Sequence, residues 1–544
     1  MIRFFLWKKH RRGLLAWTLG GFFLAFFYGL AYLQAAGTTL EQQLEFGRVT
    51  VVAAKEFAFL IPVPVHPETL GGYEQFKWLA FATDMMIFWA ALVGVGVARG
   101  DEDKGLTEEW LAFGVSRTRY LVARSAAFLL AATAACFGAT LGVSAVAPFV
   151  HQDANLLGEI GKAVSMTAAV FCAYTIALLI AQLPAERQTG TALGVGAMVL
   201  LLVVNGVADT VPSMAGVGVI SPFHWLELTT SAAPGGKFDV AATMILLAAA
   251  IVLLGASFYV FQRRDLGSGV FAWAKRSHRV GRVASRSLFL RAPWLEGLWE
   301  QRVGLATWAV SMLVLGSLMA GIVKPMADTI LSDKTLVALF ERVFQGSAYA
   351  AFLGFIWFSI SLLVLAAYAV VQVSRWSAQD QEGRVEMLLS APVSRSRLVI
   401  DRAVEFALAS LVIIAAGYIG VVAKLPSAGL GIGSDRVLIA TALLWPFTLA
   451  FGGLGVAVAS RWPRLAVPGL AAFVVVEFFL GDLAPLFKAP DWIDNLSVFH
   501  LYGNPLVTGF SVMPVVWMAL VFVAGFGAAL VLMQRRDVAG AEGA

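Results

Sequence analysis

Runs of about twenty apolar residues recur along this chain, and no other feature constrains its fold as tightly. One helix needs roughly 20 such residues to cross a hydrocarbon core about 30 Å thick. Backbone in lipid must satisfy its own hydrogen bonds, which leaves helices and closed barrels as the spanning forms. Twelve runs are read as spans, at 13–35, 76–98, 125–148, 161–183, 190–211, 238–261, 304–323, 346–373, 403–423, 437–459, 465–487 and 512–533. Composition agrees, since 59% of the 544 residues are apolar and 14% charged, against about 45–50% and about 25% in soluble domains. The expectation is an all-α polytopic membrane protein with twelve transmembrane helices, and an ordinary soluble enzyme is excluded.

Charge placement orients the chain. With a cytosolic N-terminus, 29 of the 40 Lys and Arg residues fall on the cytosolic side, as the positive-inside rule requires. Both termini are therefore expected in the cytosol. The net charge of +5 follows the lipid surface and calls for no nucleic acid. Lys8, Lys9, Arg11 and Arg12 before the first run resemble the start of a signal peptide. The apolar run is longer than the 7–15 residues of such a segment, so it is read as a retained span. Cys136 and Cys172 lie inside the third and fourth spans and are read as packing residues.

The chain also repeats itself. Segment 105–124, GLTEEWLAFGVSRTRYLVAR, aligns without gaps on 383–402, GRVEMLLSAPVSRSRLVIDR, with eight of twenty positions identical; chance gives about one or two. Leu6-Trp7 matches Leu298-Trp299, Ser221-x-Phe223-His224 matches Ser497-x-Phe499-His500, and Gln262-Arg263-Arg264-Asp265 matches Gln534-Arg535-Arg536-Asp537. The order is kept and the offsets drift only from 292 to 272. Six spans per copy is an even number, so the copies share one orientation and form a parallel repeat. The domains expected are a first half at 1–265, a basic cytosolic linker at 266–297 and a second half at 298–544. An aromatic and basic segment, read as an interfacial helix, precedes the first span of each half.

No motif for chemistry is present. There is no G-x-x-x-x-G-K-[ST] and no H-E-x-x-H, so neither a phosphate-binding loop nor a zincin site is expected. Six scattered histidines show no metal-ligand spacing, and no catalytic residue, metal site or cofactor is assigned to this chain. The duplicated cytosolic segment stands out instead. It opens with Asp101, Glu102 and Asp103 in one copy and Asp380 and Glu382 in the other. Gly105 or Gly383 follows, then Glu108 or Glu386, and then Ser116-Arg117 or Ser394-Arg395. Acids there suit the start of a helix, where the dipole favours negative charge, and the serines suit the N-cap of the next span.

Polar residues inside the spans are the second clue: Asp84 in span two, Asn205 and Asp209 in span five, Glu477 and Asp482 in span eleven. A charged group at a helix centre costs about 2.5–3.5 kcal/mol on insertion scales, so it faces a cavity or a partner. Asn205 and Glu477 are repeat equivalents at offset 272. They are read as facing each other across a two-fold interface and lining a substrate path, with helix–helix hydrogen bonding as the competing role.

Residues 383–395, GRVEMLLSAPVSR, resemble the cytosolic segment of ABC-2 type exporter permeases, which typically reads G-t-l-E-x-L-L-x-x-P-v-s-R. The copy at 105–117 departs from it, with Gly114 in place of the proline. The fused twelve-span layout resembles the permeases of polyketide and tetronasin-like antibiotic exporters. What the resemblance implies is a type V exporter-like fold in a bacterial plasma membrane, with both termini cytosolic. It further implies two copies of a separate ATP-binding subunit that carries ATP and Mg2+. Segments 101–118 and 379–396 would be coupling helices seated on that ATPase, and 212–237 and 488–511 would hold re-entrant outer helices. The expected function is export of amphipathic small molecules such as antibiotics. The alternative is a proton-coupled secondary multidrug transporter, with Glu477 as proton carrier.

Overall fold

A computed structural model describes residues 1–56, 62–185, 187–210, 212–270, 293–332, 348–381, 383–390, 393–487, 490–494 and 496–536. Glu382 and most of the 266–297 linker lie outside the described residues. Among these residues the structure is helical and contains no strand. Twelve helices are long and apolar enough to span a membrane: Ile2–Ala36, Leu70–Gly100, Arg117–Val150, Leu156–Ile180, Thr189–Asp209, Val240–Arg263, Arg302–Lys324, Ala348–Asp380, Arg395–Ala428, Ser434–Arg461, Pro463–Ala484 and Val512–Gln534. Each overlaps one run read from the sequence. Several extend beyond the apolar run by one or two turns, because a helix continues past the hydrocarbon while its ends are capped.

The chain divides into two compact units, Met1–Arg279 and Val280–Ala544. In the first unit, the first span carries the aromatic and basic segment as helix from Ile2, through a wider turn at Leu6–His10, into Arg11–Ala36. In the second, the short helix Pro293–Glu300 precedes Arg302–Ser332. The amphipathic helix Leu40–Glu56 after the first span was not foreseen, since its even mixture of charged and apolar residues reads as loop when only apolar runs are sought.

Small residues set the packing inside each unit. A Cβ on Gly142 would stand 2.5 Å from the Phe22 carbonyl oxygen, and one on Gly420 would meet the Leu313 carbonyl oxygen. Both glycines lie on the third span of their unit and face its first span, and their numbers differ by 278, the offset of the duplicated cytosolic segment. In lipid, where apolar burial between helices gains little, such backbone approach supplies much of the attraction. The last span of each unit sits outermost: only 22% of Val240–Arg263 and 17% of Val512–Gln534 is buried over their most apolar stretches. Each therefore shows apolar side chains such as Val252 and Val523 outward, as a lipid-facing helix does.

Candidate functional site

The duplicated site begins with a turn that favours glycine. Gly105 and Gly383 adopt φ of +68° and +73°, the left-handed region that costs other residues a Cβ clash. Each turn releases a short helix, Leu106–Ala112 in one unit and Arg384–Ser390 in the other. The acids ahead of Leu106 do not cap that helix by their side chains. The Asp101 backbone carbonyl accepts from the N–H groups of Leu106 and Thr107 instead, which frees the carboxyls for other partners. Ser116 and Ser394 act as N-caps, each hydroxyl accepting from the N–H three residues on, Arg119 or Arg397, at 3.2 Å.

Those carboxyls turn inward. Glu102 lies between Arg99 and Arg264, at 3.0 Å from Arg99 Nη1 and 2.9 Å from Arg264 Nη1, with Arg264 Nη2 on its other oxygen. Asp101 pairs with Arg124 at 2.7 Å, accepts from Tyr120 at 2.8 Å and meets Lys9 at 3.4 Å. In the second unit Asp380 pairs with Arg536 at 2.7 Å. Glu102 and Asp380 are repeat equivalents, and so are Arg264 and Arg536; the same bond is made twice.

Arg117 and Arg395 repeat a second bond. Arg117 Nη1 donates to the carbonyls of Phe261, Gln262 and Arg264 at 2.9, 3.3 and 2.7 Å. Arg395 Nη1 donates to the carbonyls of Met533, Gln534 and Arg536. The last carbonyls of a helix have no partner within it, and a cation there is favoured by the dipole. Gln262 adds a bond to Thr118 at 2.8 Å, and Gln534 one to Ser396 at 3.2 Å. The Q-R-R-D motif and the V-S-R-x-R motif are thus two sides of one latch, which fastens the outermost span of each unit to its third.

What stays outward on the short helices is apolar and acidic. In the first unit Phe113 is 78% exposed, with Asp103, Glu108 and Glu109 also exposed; in the second Met387 is 72% and Leu388 48% exposed. A groove of about 550 Å³ opens along the second helix, lined by Glu386, Leu389, Ser390, Val393, Ser394 and Arg395. Met387 and Leu388 are adjacent, and Phe113 stands at the end of its helix.

The intramembrane polar residues separate by unit. In the first, Asp84 and Asn205 line one cavity of about 60 Å³ together with Gln75, Lys162 and Glu227. Asn205 Nδ2 donates to Asp209 and to Glu227, 2.9 Å each, and those two carboxyls are hydrogen-bonded to one another. Burial, and then the Asp209 carboxyl beside it, push Glu227 up to about 8. Lys162 donates to the carbonyls of Thr229 and Leu226. In the second unit Glu477 is buried and accepts from the N–H of Val498 at 2.7 Å, at the start of the short outer helix Val498–Tyr502. Ser497 Oγ donates to the Glu477 carbonyl, just as Ser221 Oγ donates to the Leu201 carbonyl in the first unit. Asp482 is exposed near the outer end of its span. Sequence reading missed Lys162, which stands one residue inside its apolar run and passes for an interface cation, and Glu227, which falls in a loop.

The outer segments between the fifth and sixth spans of each unit are broken into short helices, Pro212–Ile220 and Pro222–Glu227 in one, Asp491–Asp494, Val498–Tyr502 and Pro505–Thr508 in the other.

Comparison with known proteins places this architecture. The family described as multidrug efflux system permease Rv1217c, C-terminal domain, matches residues 67–262 and 290–534. The multidrug efflux system permease protein Rv1217c of Mycobacterium tuberculosis (strain ATCC 25618 / H37Rv) is 26% identical over 499 residues, which cover 87% of this chain and 84% of that protein. With both matched stretches together spanning most of its length, the chain belongs to the family of the multidrug efflux system permease Rv1217c.

Proposed function

We propose that this chain is the permease of an ATP-driven exporter of amphipathic small molecules, in the fused ABC-2 form, with both termini in the cytosol of a bacterial cell. Two copies of a separate ATP-binding subunit, which carries ATP and Mg2+, seat on segments 101–118 and 379–396. Closure of the ATPase pair pushes these segments, and the bundle passes from inward-open to outward-open. Substrate must bind the two states with different affinity for the cycle to move it. The short outer helices close the exit.

The observation that carries this reading is the pair of repeat-equivalent cytosolic helices, each with large exposed apolar side chains, Phe113 in one copy and Met387 and Leu388 in the other. A transporter driven by an ion gradient has no need of two repeated helices that each present an apolar surface below the membrane, even where, as here, the apolar residues stand at different repeat positions. Arg117, Arg395, Glu102 and Asp380 are occupied within their own units, so partner contact falls to Phe113, Glu108, Met387, Leu388 and the groove at Glu386.

Native mass spectrometry of the chain co-expressed with its ATP-binding protein tests it. One permease with two ATPase subunits is expected, and Phe113→Asp combined with Met387→Asp should release the partner while the thermal unfolding of the permease is unchanged. A chain that never retains an ATPase, with efflux that follows the proton gradient, supports the proton-coupled secondary transporter instead.

A further inference from the structure

The cavity of the first unit holds more acceptors than donors. Asn205 is 3% exposed and gives its amide N–H groups to Asp209 and Glu227. Turning the amide over would set its carbonyl oxygen against two carboxyl groups, so the orientation with the amide N–H groups toward them is the one chemistry favours. Asn205 Oδ1 is consequently buried with no partner, and Gln75 Oε1, also on the lining, is in the same state. A buried acceptor left without a donor in this way destabilises the unliganded cavity. Lys162, the cation of the lining, gives two of its three N–H groups to the Thr229 and Leu226 carbonyls. The carboxyls of Asp84 and Glu227 also line the cavity, and Glu227, which burial pushes up to about 8, gives up its proton when a cation pairs with it, while Phe76, Leu202 and Phe223 supply apolar wall.

We propose that this cavity binds the protonated amine head of an amphipathic substrate, whose N–H groups donate to Asn205 Oδ1 and Gln75 Oε1 beside the carboxyls of Asp84 and Glu227. An ammonium carries three donors and no acceptor, which is the complement of what the lining lacks. The volume of about 60 Å³ is several times the ~10–15 Å³ that one water needs. It holds a head group and leaves the tail of the amphiphile outside. Val63, 39% exposed, stands at the edge where the tail would emerge. The second unit does not repeat the arrangement. At the offset that relates His224 to His500, Glu227 falls on Gly503 and Asn205 on Gly481, while Glu477, which stands where Leu201 does, is taken up by the Val498 N–H. Among the described residues this arrangement is found in the first unit and not at the matching positions of the second. The inference rests on the export reading and names its substrate class.

Two readouts keep the two ideas apart. Fluorescence anisotropy of dansylcadaverine, a primary amine, and of its N-acetyl analogue on the purified full chain in nanodiscs reports the cavity and needs no ATPase. The amine should bind at least tenfold more tightly than the acetylated probe. Gln75→Leu should weaken amine binding about tenfold, or about 1.4 kcal/mol, with the acetylated probe unmoved. Asn205→Leu also strips Asp209 and Glu227 of a donor, so Gln75→Glu is its companion, and the added charge should tighten amine binding. Equal binding of both probes, or parallel shifts of both in the variants, overturns the proposal and makes the cavity a water site. Stimulation of ATPase activity by either probe in the assembled complex reports export separately. Amine-selective binding without any stimulation would leave the site standing and sink the export reading.

Discussion

Glu102 holds two guanidinium groups in a place with almost no water, since the side chains of Arg99, Glu102 and Arg264 are exposed by 1–3%. Removing one partner of such a pair leaves a buried charge uncompensated, at a cost of about 3–5 kcal/mol. Glu102→Gln keeps the shape and one acceptor but leaves two cations facing a neutral amide, and should lower stability by about that amount. The repeat copy makes the control. Asp380 pairs with an Arg536 side chain that is 16% exposed, so water replaces part of what Asp380→Asn removes and the loss should be smaller. Thermal unfolding of the detergent-solubilised chain compares them. Equal losses would mean that burial does not set the strength of this bond, and no loss in Glu102→Gln would mean that the bond contributes nothing to the fold.

At the scale of elements, the latch explains why two motifs more than a hundred residues apart were both kept in duplicate. The last span of each unit is mostly exposed away from its packing face, and its final carbonyls have no helical partners. Arg117 and Arg395 supply the bond from the start of the third span. Hydrogen bonds from a charged donor contribute about 1.5–3 kcal/mol each, and even one such bond lost should raise local opening more than tenfold. Arg117→Ala is therefore expected to speed amide hydrogen exchange through the last turn of Val240–Arg263 by about ten- to a hundredfold. Exchange at the end of Val512–Gln534 should not change, while Arg395→Ala should do the reverse. Exchange that rises across the whole unit would show that the latch holds more than the helix end. The sequence displays these arginines as charges at a membrane surface, which is what any cytosolic loop displays. Their partners, 144 to 147 positions away, are set by tertiary packing that no local pattern encodes.

For the whole molecule, legibility follows the range of the interaction. Spans are decided by the hydropathy of some twenty consecutive residues, so all twelve were visible as runs. Asp84 and Asn205 were visible as polar residues in apolar surroundings, but Lys162 and Glu227 joined them only through folding. Orientation is a property of the chain as a whole, because it rests on the summed asymmetry of basic residues between the two sides. It can be read directly, since the native cysteines, Cys136 and Cys172, are buried and should stay silent to a membrane-impermeant maleimide. Single cysteines in place of Asp153 and Ser511, both exposed on the side assigned to the outside, should label on intact cells. Cysteines in place of Lys104 and Arg384, both exposed beside the short cytosolic helices, should label only after the membrane is opened. Agreement of Asp153 with Ser511, one from each unit, also tests that the two copies lie parallel, because an inverted second copy would separate them. If Lys104 and Arg384 reacted from outside, Phe113 and Met387 would face a compartment without ATP, and no cytosolic ATPase could reach the surfaces on which the export reading stands.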